Sequence, residues 1–154
     1  MKDDLDKADL KLLRVLQQQC RASSQDLAEE TAMSPATCWR RMKALEENGY
    51  IREYSAKLDR RALGFTLSAF VHVSIDRRYS EVVEDVAVEI AKRPEVLECC
   101  ATTGDSDFTL RVVARDIEDY DNFLENFLFR LPGVGQVRSS IVLREIKHTS
   151  ELPI

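Results

Sequence analysis

The sequence predicts an α+β chain in two parts, three helices with a β wing followed by segments in β-α-β-β-α-β order. Three observations lead to this. Apolar residues recur at helical spacing through the first third, and from Thr66 onward they alternate as strands do. Capping and stop residues divide the first third into short helices. Charge is also segregated: residues 1–62 hold 12 Lys and Arg against 11 Asp and Glu, whereas residues 63–154 hold 10 against 16. The expected division is therefore a domain over 1–62 and a second over 63–154, with different partners.

The first helix is expected from Asp6, with Leu10, Leu13 and Leu16 at spacings of three and Leu12 and Val15 widening the stripe. Ser23 precedes Asp26 by three residues, a capping-box start for the short helix of Asp26–Ala32. A brief turn through Ala32, Met33 and Ser34 follows. Ser34 suits an N-cap, Pro35 the first helical position and Gly49 the stop, so a third helix spans the interval. Tyr50 to Leu58 then reads as a strand or short hairpin. Three helices with a tight turn between the last two, followed by a wing, form a winged helix-turn-helix. On the third helix Cys38, Met42 and Leu45 form the buried stripe. Ala36, Thr37, Arg40, Arg41 and Lys43 occupy the other side, with Trp39 at its margin. Such a surface suits insertion into a DNA major groove, where arginine reads guanine or grips phosphate and Ser34 and Thr37 reach backbone oxygens. Residues 34–61 hold 7 basic against 4 acidic side chains. Arg52 and Lys57 on the wing are candidate phosphate contacts.

In the second part, Leu67, Ala69, Val71 and Val73 share one face of a strand, and His72 lies on the other. Val82, Val86 and Ile90 mark a helix that Pro94 stops. The strands "EVLECCATT" and "FTLRVVAR" are joined across a GDSD turn. Asp116 opens a second helix that closes near Pro132–Gly133, and "GQVRSSIVLREIKH" reads as one long last strand. This order is the ferredoxin-like split βαβ, an antiparallel sheet with both helices on one face. A sheet covered on one side only predicts dimerisation.

No apolar run approaches the roughly 18 residues that cross a bilayer, and the charged start has no signal-peptide core, so a cytoplasmic protein is expected. Cys20, Cys38, Cys99 and Cys100 form no CxxC pair. Cys99 and Cys100 are strand neighbours whose side chains diverge, so no metal site is expected of them. Asp105 and Asp107 flank Ser106 beside Gly104, and as an isolated pair they would suit a cation or acid–base chemistry. With no nucleophile or histidine partner in sequence and no EF-hand spacing, no catalytic residues are expected.

In order and spacing, "LDKADLKLLRVLQ", "LAEETAMSPATCWRRMKALEENGYI", "KLDRRALG", "TTGDSDFTLRV", "LPGV" and "IVLREIKHTSELP" together resemble the Lrp/AsnC family of feast/famine regulators over nearly the whole chain. The resemblance implies a winged helix-turn-helix joined to an effector-binding and oligomerisation (RAM) domain. It also implies transcription control by homodimers that assemble into tetramers, octamers or larger rings, tuned by an amino-acid effector with no other cofactor. Carried over by position, it places Ser34, Thr37, Arg40 and Arg41 in the recognition segment and Arg52 in the wing. Gly104, Asp105, Ser106 and Asp107 fall in the effector loop, facing last-strand residues, here Ser139 and Ser140. The family usually has an aromatic residue where this chain has Ser106, and often a tyrosine where it has Phe108. The partners implied are double-stranded DNA, a second copy of the chain and a small amino acid, with no membrane. The alternative is a ligand-binding and oligomerisation module without operator binding, against which the basic residues Arg40, Arg41 and Lys43 stand.

Overall fold

The computed structural model describes residues 5–76, 78, 81 and 83–154. The chain divides into one unit of residues up to Leu58 together with Lys147–Ile154, and a second unit of Asp59–Ile146. The expected division after residue 62 therefore differs slightly at the junction. It also differs at the far end, where the last residues belong with the first unit. Their anchors are polar and local: Gln17 accepts from the Leu152 N–H at 2.6 Å and donates to its carbonyl at 3.2 Å. Glu151 pairs with Lys57 at 3.1 Å.

In the first unit three helices run Lys7–Gln18 (α1), Ser24–Thr31 (α2) and Pro35–Glu47 (α3). Each starts on an oxygen-bearing cap. Asp6 and Ser23 close reciprocal capping boxes with Asp9 and Asp26, and Ser34 caps α3 with Pro35 following. Leu12, Leu16, Leu27 and Cys38 are buried against one another, so the stripe of α1 centres on Leu12 and Leu16 rather than on Leu10 and Leu13. Ala32 ends α2 in the left-handed region, φ 57°, which turns the chain sharply enough to start α3 three residues later.

The expected strand or hairpin of Tyr50–Leu58 does not form. Tyr50 and Ile51 donate back to the Leu45 carbonyl, and beyond them the chain is extended but joins no ladder among the described residues. Every residue of 52–58 is exposed, so no buried face selects a pairing register there. The Tyr54 hydroxyl donates to Glu46 at 2.7 Å.

The second unit contains Leu67–Ile75 (β1), Val83–Ala91 (α4), Val96–Ala101 (β2), Phe108–Ala114 (β3), Ile117–Asn126 (α5) and Val134–Ile141 (β4). The strands form one antiparallel sheet in the order β2-β3-β1-β4. Ala69, Val71, Val73, Leu110 and Val112 pack on Val86, Ile90, Tyr120 and Phe123, which puts both helices on the same side of the sheet. The expected start of the first of these helices, with Val82, lies outside the described residues. β4 ends at Ile141, well short of the long strand expected through His148. Val142 still donates to Ser68, but from Leu143 no ladder continues.

Candidate nucleic-acid interface and ligand cleft

The exposed side of α3 is a stripe. Ala36, Trp39, Arg40 and Lys43 stand at i, i+3, i+4 and i+7 and are all exposed. They lie opposite Cys38 and Leu45, which are buried, and Met42, which packs against that core. The Lys43 ammonium sits 5.5 Å from the centre of the Trp39 ring. Arg40 on the stripe and Arg52 beyond the helix are exposed, and neither makes an ion pair among the described residues. Ser34 and Thr37 are bound to each other: the Thr37 N–H donates to Ser34 Oγ at 3.2 Å, and the two hydroxyls meet at 2.8 Å. They build the helix start, whose dipole favours an anion.

Arg41 lies elsewhere. Its Nη1 donates to Asp6 Oδ2 and Asp9 Oδ1, both at 2.8 Å, and its Nε is buried. Hydrogen bonds to Asp9 and then Asp6 hold its guanidinium pKa above the ordinary value. The same two acids form the capping box of α1. One guanidinium therefore clamps the start of α1 to the middle of α3. Helical spacing put Arg41 on the polar side of α3, but α1 occupies that flank and supplies two carboxylates. Lys57, read as a phosphate contact, is paired with Glu151.

The GDSD turn joins β2 to β3 as expected, with Gly104 at φ 120°, a conformation side chains resist. Asp107 is tied into the sheet. Its N–H donates to the Val73 carbonyl at 2.9 Å, and its Oδ2 accepts the Ile75 N–H at 2.6 Å. Asp105 and Ser106 instead border a cleft of about 260 Å³ with His72, Ser74, Gln136 and Arg138. Ser74 Oγ donates to the Asp105 carbonyl at 3.0 Å and fixes the turn over the end of β1. His72 Nδ1 lies 3.2 Å from Thr109 Oγ1. The side chains of Asp105 and Arg138 make no ion pair with each other or with another described residue. The cleft thus presents a carboxylate and a guanidinium without an ionic partner, the guanidinium donating only to Gln136 Oε1 at 3.4 Å among the described residues.

Ser139 and Ser140 separate. In the β1–β4 register Ser140 is opposite Phe70 and Ser139 opposite Val71, so the two side chains leave opposite faces of the sheet. Ser139 faces the helices and accepts from the Tyr120 hydroxyl at 2.6 Å. Neither lines the cleft. Sequence reasoning missed His72, Gln136 and Arg138. The signal was strand alternation: His72 and Ser74 share a face, and the register sets Arg138 and Gln136 directly opposite them.

Residues 5–52 match a family model described as winged helix-turn-helix DNA-binding, and residues 68–152 one described as Lrp/AsnC ligand binding domain. The second match covers more than half of the chain. The chain belongs to the Lrp/AsnC family. Consistent with this, it is 37% identical over 151 residues to the Bkd operon transcriptional regulator of Pseudomonas aeruginosa, covering 98% of this chain and 99% of that one. It is 34% identical over 151 residues to the leucine-responsive regulatory protein of Escherichia coli, covering 98% and 92%. A transcriptional regulator of Neisseria meningitidis, solved as a complex with L-Met, superposes with a TM-score of 0.93 at 41% identity over 97% of both chains. An AsnC family regulator of Agrobacterium tumefaciens superposes with a TM-score of 0.91 at 34% identity, again over 97% of both. This Lrp/AsnC chain is accordingly a DNA-binding transcriptional regulator with a ligand-binding domain. Among the described residues no helix is long and apolar enough to cross a membrane, and no group of three His, Cys, Asp or Glu could hold a metal.

Proposed function

We propose that this regulator binds paired DNA half-sites as a homodimer or larger assembly through α3, and that a free amino acid in the β1–β3–β4 cleft tunes that binding. The observation that carries the DNA contacts is the exposed stripe with its unpaired Arg40, supported at the helix start by Ser34 and Thr37 and further along by Lys43 and Arg52. Arg41 supports the surface from behind. The amino-acid reading is supported by the cleft's charge pattern: an α-amino acid carries an ammonium that Asp105 would accept and a carboxylate that Arg138 would bind. It is also supported by the L-Met complex of the similar Neisseria regulator. Gly104 shapes the loop, and Asp107 anchors it to β1. Self-association is supported by the helix-free face of the sheet, where Phe70 is 41% exposed.

No chemistry is assigned to the cleft, and the protein acts as a binding switch. An effector changes DNA affinity only by its different affinity for the two assembly states. The test is a thermal-shift panel of the twenty amino acids, each repeated with size-exclusion chromatography and DNA binding. At least one amino acid should raise the melting temperature and change operator affinity, and Asp105→Asn with Arg138→Ala should abolish both effects. Loss of neither effect in that double variant overturns the cleft assignment.

A further inference from the structure

Trp39 is the chain's one tryptophan, and 57% of it is exposed to water. A large aromatic ring in this state is unusual on a helix that buries Cys38 and Leu45. It sits between Ala36, one turn back, and Lys43, one turn on, with Arg40 beside it. Lys43 holds its ammonium 5.5 Å from the ring centre, a cation–π contact, and 3.8 Å from Glu47 Oε1. Two apolar groups, Ala36 and Trp39, are therefore followed by two basic ones, Arg40 and Lys43, along one outward face of α3.

From this arrangement we infer that Trp39 is a specificity residue, an apolar platform that reads thymine in the major groove through its 5-methyl group. The proposal rests on the DNA-binding reading of α3. Thymine alone among the bases shows a methyl group in the major groove, and small or aromatic apolar side chains are its natural partners. The Ala36 methyl extends the same apolar surface toward the helix start, where the helix dipole favours a nearby phosphate. Arg40 is then the guanine or phosphate partner next to a thymine. Lys43 is aligned by the ring and brings charge to the same strand. The chain would thus prefer operators with a thymine adjacent to the Arg40 contact.

The test uses the full-length protein and a duplex that it selects from a randomised pool. Thymines in that duplex are replaced one at a time by deoxyuridine, which deletes the 5-methyl group and keeps the pairing. At one or more positions per half-site the replacement should weaken wild-type binding about fourfold, the worth of one buried methyl. Trp39→Ala should bind the parent duplex more weakly and show no further loss on the deoxyuridine duplex. Its melting temperature should stay at the wild-type value, since the ring is exposed. Because the chain has no other tryptophan, wild-type emission should also be quenched on titration with the duplex. Equal deoxyuridine losses in wild type and Trp39→Ala, no loss at any thymine, or unchanged emission on saturation overturns the proposal. A chain that selects no duplex at all fails the DNA-binding reading, and the proposal with it.

Discussion

Arg41 Nη1 lies 2.8 Å from Asp9 Oδ1, and the same nitrogen is 2.8 Å from Asp6 Oδ2. Two helices distant in sequence are thereby pinned at the point where the first begins. The clamp predicts that neighbouring arginines behave oppositely. Arg41→Ala should destabilise the first unit by about 0.5–1 kcal/mol, the upper part of the range for partly exposed ion pairs. Arg40→Ala should leave the melting temperature unchanged and weaken DNA binding instead. Thermal unfolding followed by the fluorescence of Trp39, which reports on the first unit, measures both.

Acid should loosen the same clamp. The Asp6 carboxyl is held below its ordinary value of 3.8, first by the Asp9 N–H that it accepts and then by Arg41. A carboxyl lowered in the folded state adds stability that is complete above the unfolded value and disappears as pH falls through the native one. Unfolding of the first unit should therefore be flat through neutral pH and steepen below about pH 4. Asp6→Asn should lower stability at neutral pH and flatten that acid limb. An unchanged acid limb in Asp6→Asn would assign the transition to other carboxylates.

The turn between α2 and α3 carries strain that one substitution relieves. Ala32 stands at φ 57°, where an L side chain costs about 1–2 kcal/mol relative to glycine. Ala32→Gly should stabilise the protein by about 0.5–1 kcal/mol after the glycine's extra unfolded-state entropy is subtracted. Urea unfolding at constant m-value checks this. Destabilisation would show that the Ala32 side chain contributes more by contact than it costs in strain.

On β4, Ser139 and the cleft residue Arg138 provide a pair with opposite outcomes. Ser139→Ala removes the acceptor of the hydroxyl of Tyr120, a residue that is 4% exposed. It should cost about 1 kcal/mol of stability and leave amino-acid binding intact. Arg138→Ala should do the reverse. Isothermal titration beside thermal unfolding separates the two effects.

Periodicity made the fold legible in sequence because burial follows it. The 3.6-residue stripes located all three helices, and alternation located the β1 face that packs on α4 and α5. The capping residues Asp6, Ser34 and Asp116 marked helix starts to the residue, while α2 begins at Ser24, directly after its cap Ser23 and two residues before the expected Asp26. Function was less legible because it depends on what lies across from a residue. Nothing in the helical spacing of α3 distinguishes Arg40, which faces water, from Arg41, which meets two carboxylates far away in sequence. Likewise Ser139 and Ser140 are equivalent in a motif, and only register sends one to Tyr120. The cleft residues His72 and Arg138 lie 66 positions apart and meet only because β1 pairs with β4. The segment 52–58 has strand-forming residues but joins no ladder among the described residues, so it stays extended.

The most direct test of the account is DNA affinity as a function of salt, measured by fluorescence anisotropy on a selected duplex for wild type, Arg40→Ala and Arg41→Lys. Phosphate contacts release counterions, so log affinity should fall steeply and linearly with log salt. If Arg40 grips phosphate, its loss should reduce the slope by about 0.9, while Arg41→Lys should keep the wild-type slope. A salt-independent affinity, or an Arg40→Ala protein with undiminished binding, would contradict α3 as the DNA-binding surface.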